Sequence, residues 1–195
     1  MNYGLTCHSE ILKEIDKQKY SFKKITRKRF LSLSESEGKD HALKILSERI
    51  EHNLRLTAYT IRHCEYQGIS HYRLSSALFP LVTDSSLDIK YTDLPNHKAL
   101  DNDLESIGHK ANMLGITLGS HPDQFNVLAT DDRKKVNRTI NELNFQASIF
   151  DKIGLPQDHT APMNIHINYT PKMDESIEIV ATRFFRNLSM CDKGV

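Results

Sequence analysis

The 195 residues carry 26 Lys and Arg against 25 Asp and Glu, for a net charge of +1, with 38% hydrophobic and 26% charged residues. That balance argues against a disordered or low-complexity chain and leaves nucleic-acid binding to be decided by where the charges fall. Three widely spaced cysteines, Cys7, Cys64 and Cys191, argue against a disulfide framework and a paired-cysteine zinc site. One domain over residues 1–195 is expected, large enough for a sizeable core. With no apolar run near the ~18 residues of a membrane span, and a strand-like start rather than a signal peptide, the expected compartment is the cytoplasm.

Residues 2–7 read as a short apolar strand followed by His8. The segment Lys13 to Arg29 then holds eight basic residues (Lys13, Lys17, Lys19, Lys23, Lys24, Arg27, Lys28, Arg29) interleaved with Tyr20 and Phe22 and followed by Phe30. Such a pattern suits phosphate contact and base stacking, and it equally suits a solvated helix face or loop. After a turn at residues 36–38, Leu43, Leu46, Ile50, Leu54 and Ile61 recur at helical spacing up to Gly68. His71 to Ser75 is the second strand, and residues 77–95 form a loop long enough to suggest function. Leu100, Leu104, Ile107 and Ala111 mark the next helix, stopped by Gly115. A strand at Ile116 to Leu118 runs into Gly119-Ser120-His121-Pro122, where proline ends any ladder. Asp131-Asp132 caps a helix on Val136, Ile140, Leu143 and Ala147 that ends near Gly154. A fourth strand is expected at 163–168 and a last helix at 173–190.

Strands and helices alternate, which is α/β grammar. A closed (β/α)₈ barrel needs eight units and about 250 residues, so the expectation is a TIM-type barrel of which the first four or so units are present. An open four-stranded parallel sheet is the alternative.

In such a barrel the chemistry sits at the C-terminal lip of the strands. His121 and His166 each fall at or near a strand end, and imidazole pairs on adjacent strands suit a shared transition-metal ion, with Asp84 as a candidate oxygen ligand. His71 should lie at the opposite end. Gln124 and Phe125 place an amide and a flat ring at the mouth, a pair suited to wedging into a base stack. The HExxH, P-loop and GxGxxG motifs are absent, and Ser75-Ser76 lacks a nucleophile-elbow context.

Three stretches, Tyr72-Arg73-Leu74-Ser75-Ser76 with Leu78-Phe79-Pro80, Ser120-His121-Pro122-Asp123-Gln124-Phe125, and Asn164-Ile165-His166, resemble the ultraviolet damage endonucleases of the UvdE type. The resemblance implies a TIM barrel binding up to three divalent ions, commonly manganese, with zinc or magnesium as alternatives. It implies double-stranded DNA containing UV photoproducts as the partner, nicked 5′ of the lesion by metal-activated water, at the nucleoid. His121 and His166 match metal-binding histidines of that family. Gln124 matches the glutamine of its lesion-probing Gln-Tyr pair, and Phe125 stands where the tyrosine usually is. His8, Tyr72 and Arg73, with Lys24, Arg27 and Arg29 of the basic segment, are the expected DNA-binding residues. The chain departs from the pattern after Phe79-Pro80, where Val82-Thr83-Asp84 replaces a frequent histidine, and the later strands' carboxylate and histidine ligands have no counterpart before Val195. A partial metal cluster, and an inactive chain when alone, are therefore expected. A sugar isomerase or epimerase on the same barrel, and a non-catalytic DNA-binding module, are the competing readings.

Overall fold

The computed structural model of the chain describes residues 3–167 and 169–192. Three short strands, β1 (Gly4–Thr6), β2 (His71–Leu74) and β3 (Thr117–Ser120), pair in parallel in the order β1-β2-β3. Each strand lies beside the next in sequence, so both crossovers step the same way. The order reversal of a doubly wound sheet does not occur among the described residues. The register aligns Gly4 with His71 and Thr117, Leu5 with Tyr72 and Leu118, and Thr6 with Arg73 and Gly119. Side chains alternate along each strand, so the row Leu5, Tyr72, Leu118 faces the core while His71, Arg73, Thr6 and Thr117 share the other face.

The helices are α1 (Glu10–Ile15), α2 (Arg27–Glu37), α3 (Lys39–Tyr66), α4 (His97–Met113), α5 (Arg133–Ile153) and α6 (Ile177–Leu188). In α3 the expected stripe is buried: Leu46, Ile50 and Ile61 are wholly enclosed, with Leu54 and Leu43 close behind. Each such side chain stabilises the fold by about 1.5–3 kcal/mol. The helix ends at Gln67, and Gly68 takes a left-handed φ of 67° that turns the chain into β2. Helix α5 starts where two acids announced it: the Asp132 carboxylate accepts from the backbone of Lys134 and Lys135. Two apolar clusters result. The larger joins α2, α3, α4, the sheet and the C-terminal end of α5; the smaller sets Leu128, Val136, Ile140 and Leu143 against Met163, Ile165, Phe184 and Leu188.

Three expectations change. The fourth strand shrinks to a single bridge, Ser120 with Met163, and its final residue, Asn168, lies outside the described residues, as does Asn2 of the first strand. Gly119 explains the bridge: a Cβ there would stand 2.8 Å from the Pro162 carbonyl oxygen, so only glycine lets segment 162–164 lie against β3. The basic segment is neither one helix nor a free loop. It forms α1, a turn held by the Asp16 carboxylate, and the start of α2 behind the Thr26 cap. Helix α2 runs to Glu37, so the turn expected at residues 36–38 narrows to Gly38, whose φ of 93° separates α2 from α3. Its aromatics turn inward, since Phe30 is 2% exposed and Phe22 packs on the core. Tyr20 meets Tyr59 edge-on under the Lys19 ammonium. None of the helices among the described residues is long and apolar enough to cross a membrane.

Candidate functional site

The site grows from the C-terminal end of β3. Ser120 is the last ladder residue; its hydroxyl donates to the Gln146 side-chain oxygen at 3.0 Å, and the Gln146 amide donates to Glu142 at 2.8 Å. The Thr83 hydroxyl donates to the other Glu142 oxygen. This chain of bonds ties the loop after β2, helix α5 and the tip of β3 together beneath His121. Backbone bonds from Ser120 to Pro162 (2.9 Å) and from Asn164 to Ser120 (3.0 Å) then carry the later segment past the same point. That is how residues 45 apart in sequence meet.

His121 and His166 face each other with their Nε2 atoms 2.5 Å apart, the rings nearly perpendicular with centroids at 4.3 Å. The approach is closer than the ordinary 2.7–3.2 Å hydrogen bond; the two nitrogens converge on one point, and an ion bound at about 2.0–2.1 Å from each would sit off the line between them with the pair opened to about 3 Å. Burial, then the positive charge of Arg73 and the neighbouring His166, hold the His121 imidazole below the usual histidine range, favouring the neutral form that ligates metals. The buried Nδ1 of His121 has no hydrogen-bond partner among the described residues. Donor type and convergence fit two ligands of a divalent ion. Among the described residues no third His, Cys, Asp or Glu completes a cluster with them.

Asp84 is not brought to this pair. Its carboxylate takes the Arg27 guanidinium at 2.8 Å and the Ser86 hydroxyl and backbone N–H at 2.7 and 3.0 Å. Both Asp84 and Arg27 are thus spent on joining the loop after β2 to the start of α2. Tyr72 is corrected as a DNA contact: alternation turns it under the helices, it is fully buried, and its hydroxyl donates to the Cys7 carbonyl at 2.9 Å. Burial accordingly pushes its phenol well above the usual tyrosine value. Arg73, one residue on, lies on the polar face, and its buried Nε has no acceptor among the described residues. An unsatisfied buried donor costs about 1–3 kcal/mol, which an oxygen-rich ligand would relieve. His8 stands at the end of β1, exposed, with Nε2 2.6 Å from Glu10. Lys24 and Arg29 are exposed, Lys24 offering its carbonyl to Arg49.

Beyond Pro122, Asp123 organises a turn by accepting from Phe125 N at 3.0 Å, and its carbonyl receives both the backbone and the side chain of Asn126. The turn thrusts Phe125 into solvent, 70% exposed, with Gln124 beside it. A ring so exposed on a tethered turn loses apolar contact that its own loop does not return.

Sequence reasoning missed Asn53. Wholly buried on α3, it accepts from Lys23 N at 2.7 Å and donates to the carbonyls of Lys23, Ala77 and Leu78. It thereby joins the segments that leave β1 and β2. The available signal was an asparagine inside the apolar stripe of Ile50 and Leu54. Also missed was Glu175, which gathers Arg183, Tyr169 and the Lys172 N–H and so pins the segment after His166 to α6.

The chain matches the family model described as UV-endonuclease UvdE over residues 1–192. A UV DNA damage endonuclease of Nostoc sp. is 32% identical over 164 residues, 84% of this chain and 48% of the relative. One of Bacillus thuringiensis subsp. konkukian is 26% identical over 167 residues, 86% and 48% respectively. The chain therefore spans about half the length of the curated relatives it matches. Among solved structures, the crystal structure of SacUVDE superposes with a TM-score of 0.75 at 21% identity, covering 100% of this chain and 58% of that one.

Proposed function

The chain belongs to the UV-endonuclease UvdE family, and from that premise we propose that it forms the first part of a TIM-type barrel in a DNA repair endonuclease that nicks 5′ of UV photoproducts. The observation that carries the reading is the convergence of His121 and His166 at the end of β3, three residues before the exposed Gln124-Phe125 pair. A reacting centre and a probe for unstacked bases then lie on one loop.

His121 and His166 would hold a divalent ion, Mn²⁺ first and Zn²⁺ or Mg²⁺ as alternatives, which when bound supplies a water of lowered pKa and charge stabilisation at a phosphodiester. Gln124 and Phe125 enter the duplex where a lesion has weakened stacking, the ring replacing a lost base neighbour and the amide filling a vacated hydrogen-bonding edge. Arg73 presents its unpaired Nε to a phosphate oxygen on the sheet's polar face. Lys24 and Arg29, with His8, hold backbone phosphates on the side of β1. Such a repair enzyme works at the nucleoid of the cytoplasm.

The test is incision of an end-labelled duplex with one cyclobutane dimer, with Mn²⁺ and with chelator, by this chain and by the same chain extended through its downstream reading frame. Nicking 5′ of the dimer by either form, lost with chelator and in His121→Ala, is expected. If neither form cuts while Mn²⁺ is bound, the reading fails and an isomerase-type barrel replaces it.

A further inference from the structure

The residues assigned so far leave one side of the Phe125 loop unexplained. Beside it lies an open groove of about 550 Å³ whose walls include Gln124, Phe125, Ile167, Tyr169, Lys135 and Arg138. Its walls are of two kinds. Phe125 and Ile167 are 70% and 67% exposed, an apolar floor left to solvent. Opposite stand two cations and, among the lining residues, no carboxylate. Arg138 makes no ion pair among the described residues, and Lys135 reaches Asp132 only at 4.0 Å. Asp132 itself is engaged as the α5 cap, and Asp131 is paired with Lys172.

The cations stand where the helix field resists them. The first six residues of α5 include Arg133, Lys134, Lys135 and Arg138, and its first turn holds no acid. Positive charge at a helix N-terminus is unfavourable. The arrangement gains nothing inside the fold, because all four side chains are exposed. An apolar, partly aromatic floor beside two exposed cations, Arg138 without an ion pair among the described residues and Lys135 with only a long one, is complementary to a polyanion that carries flat apolar groups.

We propose that this groove is a second DNA-strand contact, in which Lys135 and Arg138 bind backbone phosphates while Phe125, Ile167 and Tyr169 receive the unstacked part of the same strand. It deepens the proposed function and rests on it. The α1–α2 segment holds the duplex on the β1 side and α5 holds it beyond β3, so the lesion probe lies between two phosphate contacts. Neither cation stands in a motif, which is why spacing alone did not single them out.

Binding of this chain to a fluorescent duplex with one cyclobutane dimer, measured by anisotropy from low to moderate KCl, tests the assignment. For each phosphate contact removed, the slope of log K against log[salt] should fall in magnitude by about 0.7 on a single strand to about 0.9 on a duplex. The double variant Lys135→Ala/Arg138→Ala should therefore lose about 1.4–1.8 of slope and bind more than tenfold more weakly at low salt. A control pair, Arg62→Ala/Lys110→Ala near the C-terminal ends of α3 and α4, should keep the parent slope. An unchanged slope in the α5 variant, with the parent binding normally and circular dichroism intact, overturns the groove and leaves the proposed function standing. Failure of the parent chain to bind DNA overturns both.

Discussion

Two loop clusters crown the strand ends, and they treat aromatic and basic residues in opposite ways. After β1, the segment rich in Lys and Arg is stitched down: Asn53 holds it from α3, Arg27 is paired with Asp84, and Phe22 and Phe30 turn into the core. After β3, the short turn at Asp123 points Phe125 outward, and the nearby Arg138 keeps no ion pair among the described residues. Lys24 and Arg29 stay exposed in the first cluster, but its aromatics and Arg27 are structural, whereas in the second the ring and Arg138 are available. Both backbones rest on buried polar side chains. Under the second, the Val127 N–H donates to the Thr139 hydroxyl at 3.1 Å and the Asn187 amide donates to the Leu128 carbonyl at 2.7 Å, while Asn53 is the node under the first. What separates the two is therefore which way the side chains turn.

The largest effect should come from removing that node. Asn53→Ala would leave the half-buried Lys23 N without its acceptor and the buried Ala77 and Leu78 carbonyls without their donor. The expected loss is on the order of 3 kcal/mol. At this chain length that corresponds to a melting temperature lower by about 6–12 °C. A calorimetric midpoint within about 2 °C of the parent would mean that the two loops are held by other contacts.

Phe125→Ala is the reverse experiment. The ring is exposed, so thermal stability should stay within about 0.5 kcal/mol of the parent, as for surface changes generally. Affinity for a dimer-containing duplex should fall about 5- to 150-fold, the value of one stacked base. Affinity for an undamaged duplex should change little. Equal weakening on both duplexes would make the ring a general contact rather than a probe.

How much of this was legible follows the same division. The strands β1 to β3 and the helices α3 to α5 were written in apolar period and in glycine, proline and acidic punctuation, all local signals. His121 and His166 were singled out as a pair in the sequence, and the structure brings them together. The fourth strand was not decidable, because pairing depends on how Pro162 passes Gly119, a contact between residues 43 apart. Asp84 misled because a carboxylate in a long loop reads alike whether it faces a metal or Arg27. Tyr72 misled through alternation: in a four-residue strand the neighbour Arg73 is on the open face and Tyr72 is not. The inward turn of Phe30 depends on α2, whose start at the Thr26 cap is a weak signal beside the charge run.

The segment after His166 offers a pH handle. The Arg183 guanidinium first, then the Lys172 N–H and the Tyr169 hydroxyl, hold the Glu175 carboxyl at about 2 rather than 4.5. A carboxyl depressed in the folded state contributes stability in full above its unfolded value and loses it as pH falls from 4.5 towards 2. The stability gap between the parent and Glu175→Gln should therefore be constant above pH 5 and narrow below about 4.5. Urea midpoints at a series of acidic pH values measure it. A gap that does not change with pH would place the stabilisation in packing of Tyr169 under Arg183 instead.

The smallest effect belongs to Arg27 and Asp84, and it bears directly on how the first cluster is held. Burial pushes the Asp84 carboxyl up, but the bonds from Ser86 and the Arg27 guanidinium outweigh it and leave the group below its ordinary value. Arg27 is more than half exposed, at 57%, so its side of the pair is screened by water and salt. A double-mutant cycle of Arg27→Ala and Asp84→Ala should give a coupling of about 0.2–1 kcal/mol, shrinking in high salt. Because the carboxyl is depressed, the coupling should be complete at neutral pH and disappear in acid. A coupling several times larger would move the anchor of the first cluster from Asn53 to the ion pair, and Asn53→Ala and Asp84→Ala would then lower the melting temperature by similar amounts. The predicted order, with Asn53 far ahead, follows from burial: the amide is closed to water, whereas the Arg27 half of the ion pair is open to it and the Asp84 carboxylate keeps its Ser86 donors when Arg27 is removed.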